Sequence, residues 1–403
     1  MPYPRTTRSL TLLLLMVAVA LNLRPILTSI GPLLEDIRHS TGIGYQQAAL
    51  LTALPVLCMG LVPLLQPWLR RWVSERNALL GGLGAIALAC TWRLYLDSST
   101  ALIASAVVAG LGVAFVQALM PGLVNRWFAQ RLAMAMGIYS AALMSGGGLA
   151  AVLGSRVAEG FSRWQAGLGI WLVPALLALL FCLIVRPRLE AASGRGGVSG
   201  HFFGSRRAWL LAIYFGLING GYTSMVAWLP AYYQQIGGSA HGGGGLVGLM
   251  TIFQVLGALG LPLLLRGVSD RRPGLWLALA TQLAGFVGLL LAPTLSAGLW
   301  VALIGFGLGA CFSLSLTLTI EHLKSPAAGS LAAFVQGIGF IITGIVPYLA
   351  GWLRDITGDF QASWLLLTLT VLLMLLVTWR FAPDGYAEAM AGPSPGVPDG
   401  AVR

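Results

Sequence analysis

Charge is what this sequence lacks. Only 9% of its 403 residues are Asp, Glu, Lys or Arg, where a soluble domain carries about 25%, and 57% are apolar. That balance excludes a soluble globular chain and implies an integral membrane protein with many spans. Acids are scarcer than bases, 13 against 24, which leaves a net charge of +11. The bases fall in short connections between apolar runs rather than in one patch, so nucleic acid is not expected as a partner. Cys58, Cys90, Cys182 and Cys311 sit singly in apolar runs, without disulfide or metal spacing. The four histidines, His39, His201, His241 and His322, lie at segment ends or in loops. No metal site, cofactor or catalytic residue is expected, because no intramembrane His/Asp/Glu cluster or nucleophile–base pair appears. The longest connection has about twenty residues, too few for the soluble output domain of a membrane sensor.

What is present is a series of long apolar segments. Twelve are read, over residues 10–34, 46–68, 78–96, 100–126, 132–157, 166–186, 207–234, 245–266, 274–293, 297–321, 328–353 and 361–382. The start resembles a signal peptide, with Arg5 and Arg8 before an apolar stretch and Ala18-Val19-Ala20 as a cleavage-like site. The apolar run continues a dozen residues further, so retention as a first transmembrane helix is expected. The connection 187–206, rich in Arg, Gly and Ser, divides the chain into bundles 1–186 and 207–382. Residues 383–403 contain Gly392-Pro-Ser-Pro-Gly-Val-Pro398 and read as a disordered tail. Placing both termini in the cytoplasm puts 18 of the 24 basic residues there and 5 opposite, Arg93 among the latter, the bias of a protein with both termini inside.

The halves echo each other. Val73-Ser-Glu-Arg76 and Val268-Ser-Asp-Arg271 are 195 residues apart, and the same offset lays Thr28-Ser29 over Thr223-Ser224 and Arg24 over Asn219. A duplicated six-helix unit is the arrangement of alternating-access transporters, with substrate bound near mid-membrane between the repeats. The acidic–basic connections, through Glu75, Arg76, Asp270 and Arg271, are expected to latch neighbouring helix ends.

Arg24 is the sharpest functional feature. Counted from Leu10 it lies roughly 21 Å along the first segment, too deep to reach either surface easily. A bare cation there costs at least about 2.5–3.5 kcal/mol, and no acid occupies the middle of any apolar segment. A small anionic substrate would balance it. Pro25 removes a backbone donor and disturbs the ladder near Leu21, and Thr28 shares the Arg24 face one turn on. Asn22 is a weaker candidate on another face. Asn219 and Tyr222 share a face of the seventh segment, opposite Arg24 in the repeat. Gln117, Gln336 and Tyr139 carry polar groups that lipid would penalise, and serve either as interhelical ties or as cavity groups. Glu321 and His322, at the cytoplasmic end of the tenth segment, could carry a proton or pair with Arg126.

The acidic–basic connections resemble, in degenerate form, the signature loop of the major facilitator superfamily, with Glu75 in place of Asp and no opening glycine. Leu21-Asn-Leu-Arg-Pro-Ile-Leu-Thr-Ser-Ile-Gly-Pro32, Gln117-Ala-Leu-Met-Pro121, Tyr214-Phe-Gly-Leu-Ile-Asn-Gly-Gly-Tyr222 and Phe334-Val-Gln-Gly-Ile-Gly-Phe-Ile-Ile342 closely resemble bacterial cyanate transporters. So do Ala227-Trp-Leu-Pro230 and Arg380-Phe-Ala-Pro383. Transporters associated with 2-nitroimidazole are nearby relatives. The resemblance implies an all-α membrane protein of twelve transmembrane helices in two pseudo-symmetric six-helix bundles, with the first, fourth, seventh and tenth helices lining the cavity. It implies a monomer in the bacterial inner membrane that moves a small anion, most specifically cyanate; an azole or other drug-like compound is the alternative cargo.

Overall fold

In the computed structural model the described residues are 5–69, 72–128, 132–185, 200–237, 240–265, 268, 270–323, 327–383 and 390. Their regular structure is helical throughout, as a backbone without water must be when it forms no closed barrel. The first span is broken into α1 (Arg5–Leu21), the short α2 (Pro25–Thr28), a 3-10 turn (Gly31–Leu33) and α3 (Leu34–Thr41). The rest of the first half comprises α4 (Tyr45–Leu69), α5 (Glu75–Arg93), α6 (Ser99–Phe128), α7 (Leu132–Gly160) and a sixth span of α8 (Trp164–Gly169) plus α9 (Leu172–Val185). The second half comprises α10 (Arg206–Gln235), α11 (Ala240–Leu264), α12 (Arg272–Leu291), α13 (Ala297–Glu321), α14 (Ala327–Thr357) and α15 (Gln361–Thr378).

Eleven runs among the described residues are long and apolar enough to cross a membrane. The remaining long helix, α5, starts at Glu75-Arg-Asn77 and ends at Arg93, and these polar ends dilute its hydropathy. It packs on α6 and α9 like the other members of its bundle. Twelve spans in two bundles result, as the residue pattern predicts. Most of the expected linker, 187–199, and of the tail, 384–389 and 391–403, lies outside the described residues.

The bundles meet along two long seams, α4 against α14 and α7 against α11. Backbone runs close to backbone there: a Cβ on Gly60 would stand 2.6 Å from the Gly337 carbonyl oxygen, so glycine permits a contact no other residue could. The α10 helix is central, with 83% of its most apolar stretch buried. Leu176, Leu177, Leu180 and Ile184 of the peripheral α9 face outward, as lipid contact requires.

One membrane face is sealed by contacts between bundles. The Asp355 carboxylate of α14 accepts from the Tyr45 and Gln46 amides at 3.2 and 2.8 Å, so one bundle caps the first turn of a helix in the other. The Tyr45 ring lies between the guanidiniums of Arg38 and Arg354, at 3.6 and 4.6 Å, and its hydroxyl donates to Glu35 at 2.7 Å. Gln46 donates to the Tyr348 hydroxyl at 2.6 Å, and Gln234 of α10 to the Pro32 carbonyl at 3.3 Å.

On the opposite face the ion pairs among the described residues stay within a bundle. Arg126 at the end of α6 grips both oxygens of Glu75, and Arg271 grips Glu321 at the end of α13, 2.7 Å at the shortest. Arg126 and Glu321 are 195 residues apart, so the repeat conserves the bridge and inverts its polarity. The expected latch is thus corrected in two members. Asp270 turns back to Arg272, which it meets at 2.8 Å and whose amide it caps, and Arg272 holds its carboxyl below the usual carboxylate range. Arg76 is exposed and takes no part in either bridge. Nor does Glu321 meet Arg126, because each bridge joins adjacent helices of one bundle.

His322 is buried just beyond α13. Its Nε2 accepts from Arg207 Nε at 3.0 Å and its Nδ1 donates to the Leu318 carbonyl at 2.7 Å, so both ring nitrogens are engaged in the neutral tautomer. Burial pushes its pKa from 6.5 down to about 4. The unfolded chain therefore gains a proton near pH 6.5 that the folded chain refuses until about pH 4, and stability falls as pH is lowered through that window. Melting curves of the detergent-purified protein between pH 7 and pH 4 are expected to show this loss, and His322→Asn should flatten it; parallel profiles would contradict it. Removing the shared cap with Asp355→Ala should cost about 1 kcal/mol and speed amide exchange over residues 45–48 about fivefold. Exchange at the parental rate would show that the cap does not hold the seam.

Candidate functional site

The first span breaks where Pro25 falls. Leu21 ends α1, residues 22–24 form a bend, and Arg24 precedes the first residue of α2 with φ −103°. Proline lacks the amide that would continue the ladder toward Leu21 and is well suited to start a new helix. The freed groups find local partners. Asn22 donates to the Ala18 carbonyl of α1 at 2.7 Å and the Pro174 carbonyl of α9 at 3.1 Å. Thr28 donates to the Arg24 carbonyl at 3.2 Å, and Ser29 to Pro25 at 2.7 Å.

The break delivers Arg24 between the bundles. Its residue is 7% exposed, and its guanidinium carbon lies 5.0 Å from the centroid of the Tyr222 ring, a cation–π arrangement. Its Nε is buried without a hydrogen-bond partner, and no carboxylate pairs with it among the described residues. A small cavity surrounds it, lined by Met144 from the first half and by Ile218, Asn219, Tyr222, Gln254, Leu308 and Phe312 from the second. About 10 Å³ is open to the centre of a water-sized sphere, room for roughly one water. The polar members offer cationic and amide N–H donors against three apolar side chains and two aromatic walls, a set suited to a small acceptor-rich ligand.

Gly147 is the junction of the charged side. A Cβ there would stand 3.2 Å from Arg24 Cβ and 3.3 Å from both Thr28 Cγ2 and Tyr222 Oη. Three sequence candidates from two bundles thus converge on a position with no side chain. Asn219 also reaches the cavity, donating meanwhile to the Phe215 carbonyl at 2.9 Å. Tyr139 lies in the field of Arg24 with its buried hydroxyl unpartnered.

Other candidates are placed elsewhere. Asn22 is turned to α9 by its two carbonyl bonds, so it closes the backbone break instead of facing the cavity. The Thr28 hydroxyl serves the backbone, leaving its methyl toward the junction. Gln117 of α6 has a buried unpartnered Oε1 but does not line the cavity, and Gln336 of α14 is half-buried outside it. The lining expected from the fourth helix comes instead from the fifth and eighth spans, through Met144 and Gln254. Glu321 and His322 sit about 14 Å along α13 from the cavity, as nine residues of helix separate Glu321 from Phe312, and both are engaged by arginines.

Gln254 was not among the sequence candidates. It is 6% exposed, its Oε1 is buried without a partner, and it lines the cavity. The repeat could not flag it, because the residue 195 positions earlier is Met59. Its only sequence signal was an amide in the middle of an apolar run.

Residues 10–347 match the family model of the Major Facilitator Superfamily. The chain is 43% identical to the cyanate transport protein CynX of Escherichia coli (strain K12), over 94% of this chain and 98% of that protein. It is 31% identical to the 2-nitroimidazole transporter of the same organism, over 89% and 92% of the two chains. Among solved structures it is similar to the D-xylose-proton symporter, with a TM-score of 0.73 at 14% identity covering 93% and 98%. A nucleoside transporter, NupG, gives a TM-score of 0.71 at 15% identity covering 92% and 99%. At such identities the solved structures speak for the fold alone.

Crowding at Gly147 is directly testable. Gly147→Leu should cost about 1–3 kcal/mol, the usual penalty of overpacking, by forcing Arg24 and Tyr222 apart, and Gly147→Ala should cost less. A melting temperature for Gly147→Leu equal to the parent's would show that the junction is loose.

Proposed function

The chain belongs to the major facilitator superfamily, and from that premise we propose that it carries a small monovalent anion, cyanate in the first place, across the bacterial inner membrane by alternating access. The family supports a multi-pass transporter. The observation that carries the choice of cargo is the Arg24 guanidinium, buried between the bundles beside Tyr222 without a carboxylate partner. A monovalent anion neutralises it. The Asn219 and Gln254 amides orient the ligand, and Tyr139 and Tyr222 supply hydroxyls at the edge of the charge. The 43% identity to a cyanate transport protein supports the same cargo, and the scant space around Arg24 favours a molecule of a few atoms.

The working cycle follows from charge. An empty buried cation disfavours close approach of the bundles, and a bound anion removes that penalty, so loading favours an occluded state from which either face can open. With both termini in the cytoplasm, the face sealed by Asp355 and Tyr45 is the outer one, and the Glu75–Arg126 and Arg271–Glu321 bridges brace the inner one. The membrane potential opposes entry of a bare anion by about 2.3 kcal/mol per charge per 100 mV. The two candidates for a proton carrier, Glu321 and His322, are held by Arg271 and Arg207, which favours movement down a gradient without a coupled proton.

Uptake of labelled cyanate, nitrate and 2-nitroimidazole into liposomes containing the purified protein, with and without a pH gradient, tests this reading. Cyanate uptake above that of protein-free liposomes and insensitive to the gradient is expected, with Arg24→Ala and Arg24→Lys folded and transport-deficient. Transport of 2-nitroimidazole without cyanate would assign the cavity to azoles instead. Retention of cyanate affinity by Arg24→Ala would make that arginine a structural residue.

A further inference from the structure

Arg24 is not alone in the first bundle. Arg93, the last residue of α5, has no exposed surface, although the charge pattern of the sequence assigns it to a membrane face. Its Nε donates to Ser105 Oγ of α6 at 3.1 Å, and Ser105 in turn donates to the Leu102 carbonyl at 2.6 Å. Its Nη1 donates to the Ile26 carbonyl of α2 at 3.4 Å. Its Nη2 is buried without a partner, and among the described residues no carboxylate pairs with it.

Ile26 lies two residues beyond Arg24, inside a helix of only four residues. So short a helix cannot satisfy its own terminal carbonyls, and nothing in its own ladder fixes its direction. The bond from Arg93 supplies that restraint from outside the cavity. A neutral amide could make the same two bonds without burying a charge. A guanidinium with a donor left over adds an uncompensated positive field behind the segment that presents Arg24.

We propose that Arg93 is a positioning residue for the Arg24 site: it pins the broken first helix through Ile26 and lends its charge to the attraction of a small anion it does not touch. The electrostatic part rests on the anion reading above; the pin does not. The bond is to the Ile26 backbone carbonyl, so it leaves the Arg24 side chain free to face Tyr222. An anion in the cavity then relieves two buried cations.

Three variants separate the parts: Arg93→Lys keeps the charge, Arg93→Gln keeps donors without it, and Arg93→Met removes both. The purified protein in nanodiscs is titrated calorimetrically with cyanate and with nitrate, and amide exchange is followed over residues 26–30. Arg93→Gln is expected to weaken anion binding about tenfold with its melting temperature largely kept. Arg93→Lys should restore most of the affinity, and Arg93→Met should hasten exchange over 26–30. Parental anion affinity in Arg93→Gln, or equal loss in Arg93→Lys and Arg93→Gln, overturns the electrostatic role. Unchanged exchange in Arg93→Met overturns the pin. If the parent protein binds neither anion, the anion reading and the electrostatic role fall together, and the exchange comparison still decides the pin.

Discussion

A guanidinium held in the membrane interior without an acid is the constraint on which this structure turns. The interior of a helical bundle offers little to compensate a cation: backbone carbonyls are committed to their own ladders, and lipid offers none. The chain eases that difficulty by breaking a helix. At Pro25 the ladder stops, Arg24 occupies the first free position, and Asn22, Thr28 and Ser29 bind the carbonyls around the break. The cost of an interrupted span is largely met within one turn. What remains uncompensated is the charge, which faces an aromatic ring and a cavity made by both bundles.

Around that point the two halves do different work. The first half supplies the cations, Arg24 in the cavity and Arg93 behind it. The second supplies most of the wall, through Asn219, Tyr222, Gln254 and Phe312. The seams between halves rely on glycine, because backbones that approach this closely leave no room for a side chain. At the faces the logic reverses and charge does the joining. Asp355 caps a helix of the other bundle where the seam is closed, while bridges of opposite polarity tie neighbouring helices inside each bundle at the other face. A protein with 9% charged residues thus places many of them at helix ends and between neighbouring helices.

Much of this was legible in the residues. The twelve apolar runs, the offset of 195 residues and the depth of Arg24 needed only helical rise and charge bookkeeping. Tyr222 and Asn219 were reached because the repeat laid them opposite the charged segment. Asn22 read as a weaker candidate and Gln117 and Gln336 as either ties or cavity groups, since a polar side chain in an apolar run reads the same whether it faces a cavity, a neighbouring helix or a backbone break. Gln254 has no polar counterpart in the other half and escaped notice for that reason. Arg93, at the end of its run, had the pattern of a surface charge; only the packing of α2 and α6 over α5 put it out of reach of solvent.

The sequence by itself determined the class of solvent, the number of spans, their duplication and the presence of a stranded cation, because each follows from composition and spacing along one chain. Tertiary structure alone decided which polar groups share a cavity, that Gly147 is where two bundles meet the charge, that Glu75 answers Arg126 and Glu321 answers Arg271, and that a second arginine stands behind the first. Those facts depend on the rotation and depth of one helix against another, quantities set by side-chain packing between segments far apart in the chain and therefore absent from any local pattern.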